Sequence, residues 1–269
     1  MHRFEALLFG MPNTLRHVPQ PALNSYVGGG GVRLAYREIG SGRPLILLHG
    51  LSTDGRMWLF RGHAERFRTA GFRVIIPDFR GHGESDKPHD AAAYPPDVLT
   101  DDVLALVAYL DLGDYELAGY SLGARIAVRA LVRGATPGRA VVAGQGMREL
   151  LGTVGRAGTQ MRRIFAGADT VTPGSPDARA EEWLRSSGAD PVALLHVLDS
   201  LVPTPPDAIA QIQVPTLVVI GAEDERAESI EALAATLPHA TLVRIAGDHV
   251  TAATSPDLAI AITDFLTQH

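Results

Sequence analysis

Cysteine is absent from the chain, which removes disulfide frameworks, thiolate metal sites and cysteine nucleophiles together. An excess of basic residues is also missing. The 24 Lys and Arg stand against 30 Asp and Glu, a formal net charge of −6, and no basic stripe that would gather phosphates is present. Nucleic acid is therefore not an expected partner. No window holds the roughly 18 continuous apolar residues of a membrane span. The apolar run Ala6-Leu7-Leu8-Phe9 follows Glu5 and is closed by Pro12, with no small-residue cleavage pattern after it. Cytoplasmic residence is the expectation. Metal-ligand spacing such as H-E-x-x-H is lacking, and Asp101-Asp102 and Glu181-Glu182 read as solvated helix faces, so no metal is expected.

What is present fits a large globular core. Over 269 residues, 46% are hydrophobic and 20% charged, which supports one α/β domain with an insertion rather than disorder. Residues 1–25, with Pro12, Pro19 and Pro21, read as an extended arm. Gly28 to Gly31 has no Lys-Ser/Thr pair and no helix after it, so it is a hairpin turn rather than a phosphate loop. Val32 to Ile39 alternates apolar and polar residues, as an edge strand with one wet face does. Leu45 to Leu48 is a continuous apolar run, the mark of a central parallel strand covered on both faces.

Further buried strands are expected at Phe72 to Ile76, Tyr115 to Ala118, Ala140 to Ala143, Thr216 to Ile220 and Thr241 to Ile245. Helices near Gly62 to Thr69, over Asp97 to Leu110, after Ser121, over Ala227 to Thr236 and from Ser255 to Leu266 separate them. This alternation lays down a mostly parallel sheet with helices on its faces. It lapses between 147 and 206, where helical pieces are plausible at Met147 to Phe165, Ala178 to Ser186 and Asp190 to Leu201. The last has Asp190 as its N-cap and Pro191 at its first position. The expected organisation is an arm at 1–25, a core formed by 26–146 and 207–269, and a helical cap at 147–206.

The stretch Gly119-Tyr120-Ser121-Leu122-Gly123 fits the G-x-S-x-G pattern at a strand-to-helix turn. A serine alcohol attacks only when a base takes its proton and its oxygen stands clear of the backbone, and a tight turn does the second job. The glycines leave room, and the first turn of the helix offers free N–H groups to a developing oxyanion, Leu122 among them. Asp224 and His249 each follow a later strand, where open α/β sheets place their sites.

The order Ser121, Asp224, His249, with His49-Gly50 after the first central strand and the loop Asp78 to Ser85, resembles the α/β-hydrolase superfamily over nearly the whole chain. The resemblance implies an α/β-hydrolase fold with a helical cap. It also implies that His249 is the general base and acid for Ser121, that Asp224 holds its tautomer, and that the N–H groups of Leu51 and Leu122 form the oxyanion hole. Glu223 and Glu225 flank Asp224 and are chemically able to serve as the acid, although the resemblance places it at Asp224. Gly144-Gln145-Gly146, where some relatives carry the acid, offers no carboxylate. His49 and His82 read as loop histidines that pack and hydrogen-bond backbone.

These residues point to a serine hydrolase acting on a carboxylic ester or related acyl bond of a small, mostly apolar molecule, with no cofactor. Phe165, Trp183, Leu195, Leu198 and Val250 are the expected pocket liners. Superfamily relatives with similar motifs include carbon–carbon bond hydrolases, enol-lactonases and perhydrolases, and a hydrolase-like receptor would carry the same triad. Epoxide hydrolases and haloalkane dehalogenases are disfavoured because they place a carboxylate where Ser121 stands. Arg125, Arg129 and Arg133 form a stripe on the helix after Ser121 that reads as a solvated or salt-bridged face. Arg125 directly after the motif is also similar to menaquinone-pathway synthases, which eliminate pyruvate from a polyanionic substrate.

Overall fold

The computed structural model of the protein describes residues 21–152, 159, 162–163, 178 and 188–268. Its sheet has eight strands: β1 (Ala22–Val27), β2 (Arg33–Ile39), β3 (Arg43–Leu48), β4 (Phe72–Pro77), β5 (Glu116–Tyr120), β6 (Ala140–Ala143), β7 (Thr216–Gly221) and β8 (Ala240–Ile245). The order is β1-β2-β4-β3-β5-β6-β7-β8. β1 and β2 form an antiparallel hairpin through a tight turn at Gly29–Gly31, β2 runs antiparallel to β4, and every later pair is parallel.

Among the described residues the helices are α1 (His63–Thr69), α2 (Val98–Tyr109), α3 (Leu122–Val132), α4 (Met147–Leu151), α5 (Pro191–Ser200), α6 (Pro206–Ile209), α7 (Ile230–Thr236), α8 (His249–Ala253) and α9 (Pro256–Leu266). β3 explains why helices cover both faces of the sheet. Leu45 and Leu47 point into a cluster with Phe67 of α1 and Leu258 and Ile262 of α9. Ile46 and Leu48 point the other way, to Leu99 and Leu106 of α2 and Ile126 of α3. All four are fully buried, and each contributes roughly 1.5–3 kcal/mol of apolar burial. Period-two alternation thus feeds two cores from one uninterrupted apolar run.

Three expectations are corrected. β1 starts at Ala22, inside the stretch read as an arm. Because β1 occupies the edge, β2 is paired on both sides, and Leu34 to Arg37 are all buried instead of presenting a wet face. Arg37 tolerates this because its guanidinium donates to Asp78 at 3.0 Å. The wet role falls to β1, whose Leu23 and Val27 are exposed. The helix expected over Ala227 to Thr236 is split into a 3-10 turn at Glu225–Ser229, capped by the Asp224 side chain, followed by α7.

Between β6 and β7 the described residues hold α4, α5 and α6 and no strand. α5 starts as its sequence dictates, with Asp190 Oδ1 accepting from the Ala193 N–H at 3.0 Å and Pro191 at the first helical position. Among the described residues no helix is long and apolar enough to cross a membrane.

Candidate active site

Ser121 sits between β5 and α3 with φ 55° and ψ −113°, a conformation that L-residues rarely adopt. The sequence permits it through two glycines. A Cβ on Gly119 would stand 2.2 Å from the Gly123 backbone, and one on Gly123 would stand 2.2 Å from the Leu48 carbonyl oxygen. The elbow therefore presses directly against β3. Its backbone is pinned by the Ser121 N–H donating to Ala143 O at 2.8 Å and by Gln145 Nε2 donating to Ser121 O at 2.8 Å.

The structure brings Ser121, His249 and Asp224 together. His249 Nε2 lies 3.0 Å from Ser121 Oγ, and His249 Nδ1 lies 2.6 Å from Asp224 Oδ2. With Nδ1 donating to the carboxylate, Nε2 is left to accept the serine proton. The Asp224 side chain is fully buried at the end of β7, and its Oδ1 accepts from the Arg226 N–H at 3.0 Å. Burial alone raises its pKa, but the hydrogen bond and charge of His249 and the Arg226 contacts outweigh it, holding the carboxyl below its ordinary range. Glu223 and Glu225 stay exposed at the mouth of the site; among the described residues the carboxylate meeting the His249 ring is Asp224.

The backbone around His249 is equally constrained. Asp248 caps α8 by accepting from the N–H groups of Val250 and Thr251 at 3.0 and 2.8 Å, and Thr251 Oγ1 accepts from the Asp248 N–H at 2.8 Å. Tyr120 donates its phenol to the His249 carbonyl at 2.7 Å, and its ring lies 5.3 Å from the imidazole. Burial pushes the phenol's pKa up, so it remains a donor across the ordinary pH range. Gly144 makes room for that ring, since a Cβ there would stand 2.8 Å from it.

The amides of Leu51 and Leu122 donate to no acceptor among the described residues. Gly50 packs beside Ser121, its Cβ position 3.7 Å from Ser121 Cβ. Two buried histidines fix this loop. His49 accepts from the Phe79 N–H at Nε2, 3.0 Å, which leaves Nδ1 to donate to Gly50 O at 2.7 Å. His82 Nε2 lies 2.6 Å from Leu51 O. Burial and then His49 push the His82 pKa down to about 4, leaving one N–H for the carbonyls of Leu51 and Arg80.

A shallow cleft of about 330 Å³ lies on the Asp224–His249 side of the site, lined by Glu223, Asp224, Glu225, Arg226, Asp248, His249 and Val250. Leu198 and Leu194 of α5 pack with Leu195, Leu201 and Leu51, so part of the insertion rests on the loop beside Ser121. Leu195, Leu198 and Val250 are thereby near the site, whereas Phe165 and Trp183 lie outside the described residues.

Arg125 departs from the sequence reading. Arg129 and Arg133 pair with Asp97 and Asp101 as a salt-bridged face does, but Arg125 is buried and donates to the carbonyls of Glu149, Gly152 and Val202 at 2.6, 2.5 and 2.9 Å. Burial, and then the neighbouring Arg129, lower its pKa to about 10, so it remains charged near neutrality. Sequence reasoning also passed over Tyr120 and Gln145. The available signals were a large phenol inside the motif and a polar side chain between two glycines.

A model of the alpha/beta hydrolase family matches residues 45–261. The AB hydrolase superfamily protein YisY of Bacillus subtilis is 40% identical over 102 residues, covering 38% of this chain and 37% of that protein. An epoxide hydrolase of Caballeronia sordidicola is 34% identical over 94 residues, 35% of this chain and 28% of that one. The matched parts span about two fifths or less of the length of these curated relatives. Among solved structures, a thermophilic esterase from Thermogutta terrifontis superposes with a TM-score of 0.71 at 25% identity, covering 91% of this chain and 98% of that one.

Proposed function

The chain belongs to the alpha/beta hydrolase family, and from that premise we propose that it cleaves a carboxylic ester or related acyl bond of a small, mostly apolar substrate through an acyl-enzyme on Ser121. The observation that carries this reading is the unbroken relay from Ser121 Oγ to His249 Nε2 at 3.0 Å and from His249 Nδ1 to Asp224 at 2.6 Å. Ser121 Oγ attacks the carbonyl carbon while its proton passes to His249 Nε2. The buried carboxylate of Asp224 stabilises the imidazolium that forms. The new oxyanion is received by the Leu51 and Leu122 amides, each such donor being worth about 3 kcal/mol of barrier. Collapse breaks the acyl–oxygen bond, and the alcohol leaves with the proton from His249. Water, deprotonated by the same nitrogen, then releases the acid.

The reading differs from that of an epoxide hydrolase at one residue, because the nucleophile position holds a hydroxyl, not a carboxylate. The synthase-like alternative needs free cations for a polyanion. Arg125 is engaged by three carbonyls and Arg148 by Glu149 and Glu228, while Arg156 lies outside the described residues. The test is hydrolysis of p-nitrophenyl esters from acetate to decanoate by wild type and Ser121→Ala. Steady turnover that requires Ser121 and has a chain-length optimum supports an esterase. A single burst, or no turnover from folded protein, overturns it in favour of a specialised relative or a ligand receptor.

A further inference from the structure

We propose that Arg125 is a positioning residue that fastens both ends of the 147–206 insertion to the helix bearing the nucleophile, and thereby sets how the site holds long acyl chains. The functional half of this inference rests on the serine-hydrolase reading; the fastening itself does not.

Arg125 lies one turn after Ser121 on α3, with its side chain buried. Its Nη1 donates to the Glu149 carbonyl, and its Nη2 to those of Gly152 and Val202. Glu149 and Gly152 belong to the chain leaving the core through α4, and Val202 belongs to the chain returning after α5. One guanidinium therefore bridges the two roots. The α4 carbonyls it takes are those that a helix end leaves without an internal partner.

Three further contacts tighten the same knot. The Thr204 N–H donates to Leu150 O at 2.8 Å, joining the roots directly. One turn along α3, Arg129 pairs with Asp97 at 2.5 Å, and the Asp97 N–H donates to Ser200 O at 2.7 Å. Residues 200–202 are thus held twice from the elbow helix. Among the described residues Arg125 meets carbonyls and no carboxylate, and its Nε is buried without a partner, an arrangement that a merely solvated arginine does not adopt.

The fastened segment runs back into α5, whose Leu194 and Leu198 pack with Leu51 beside the nucleophile. Loosening 200–202 shifts that apolar wall relative to Ser121 while leaving the Ser121–His249–Asp224 contacts in place. A decanoyl chain extends further from Ser121 than an acetyl group and is expected to feel that shift more.

The experiment compares wild type, Arg125→Met and Arg125→Lys on p-nitrophenyl acetate and decanoate, with hydrogen exchange of the Thr204 and Asp97 amides and fluorophosphonate labelling of Ser121. In Arg125→Met, KM for decanoate is expected to rise about tenfold with kcat within about twofold, as the loss of charge-assisted hydrogen bonds would give. Acetate kinetics and labelling should hold, and both amides should exchange faster. Arg125→Lys, which keeps the charge without the fork, should fall between the two and carries the comparison if the Met variant does not fold. Unchanged decanoate KM, or equal loss of kcat on both esters, overturns the proposal. If wild type neither labels nor turns over, the hydrolase reading fails instead, and unchanged amide exchange in the variants then overturns the fastening.

Discussion

The phenol of Tyr120 donates to the main-chain carbonyl of His249 at 2.7 Å, so the residue immediately before Ser121 steadies the histidine whose Nε2 meets the Ser121 hydroxyl. Tyr120→Phe removes this donor and leaves a partly buried carbonyl without its partner. Stability is expected to fall by about 1 kcal/mol, and kcat for a p-nitrophenyl ester to fall more than KM rises. An unchanged kcat would show that the α8 cap alone fixes His249.

Dissecting the relay separates the acid from its neighbours. Ser121→Ala is expected to lower turnover by about a million-fold and Asp224→Ala by about ten-thousand-fold, while the exposed Glu223→Ala stays within about twofold of wild type. Comparable losses from Glu223→Ala and Asp224→Ala would reassign the acid.

His63 of α1 is buried beside Trp58. Burial lowers its pKa to about 4 from 6.5. The unfolded chain therefore binds a proton between these values that the folded chain refuses, so stability is full above pH 6.5 and is lost as pH falls toward 4. His63→Phe, which has no titrating ring, should flatten this slope. Urea midpoints across this range are the measurement, and parallel slopes for the two proteins would refute the assignment.

Gly123→Ala tests the contact between elbow and sheet. The added Cβ would meet the Leu48 carbonyl oxygen, a backbone atom in the middle of the molecule. A loss of about 3 kcal/mol or more is expected, read as a fall in Tm or as insoluble protein. A variant as stable as wild type would mean that β3 and α3 separate at little cost.

Much of this was legible because local chemistry and tertiary need agree. Leu45 to Leu48 are apolar at every position because helices cover both faces, and the elbow is recognisable because only glycine fits at 119 and 123. Where distant partners decide, the sequence misleads. Arg37 occupies a polar slot in an alternating strand, and only the fold discloses that Asp78 neutralises it in the interior. Arg125, Arg129 and Arg133 are one stripe in sequence but two environments in space, because among the described residues Arg125 meets carbonyls of the insertion while Arg129 and Arg133 meet Asp97 and Asp101.

The clasp at Arg125 takes hold of peptide oxygens alone, and every amino acid supplies one. Its grip is therefore indifferent to which side chains occupy 149, 152 and 202. Side-chain substitutions at these three positions are expected to leave the attachment of the inserted segment to α3 in place. A foreign insertion that preserves the backbone path at its two roots is expected to dock without redesign of the core.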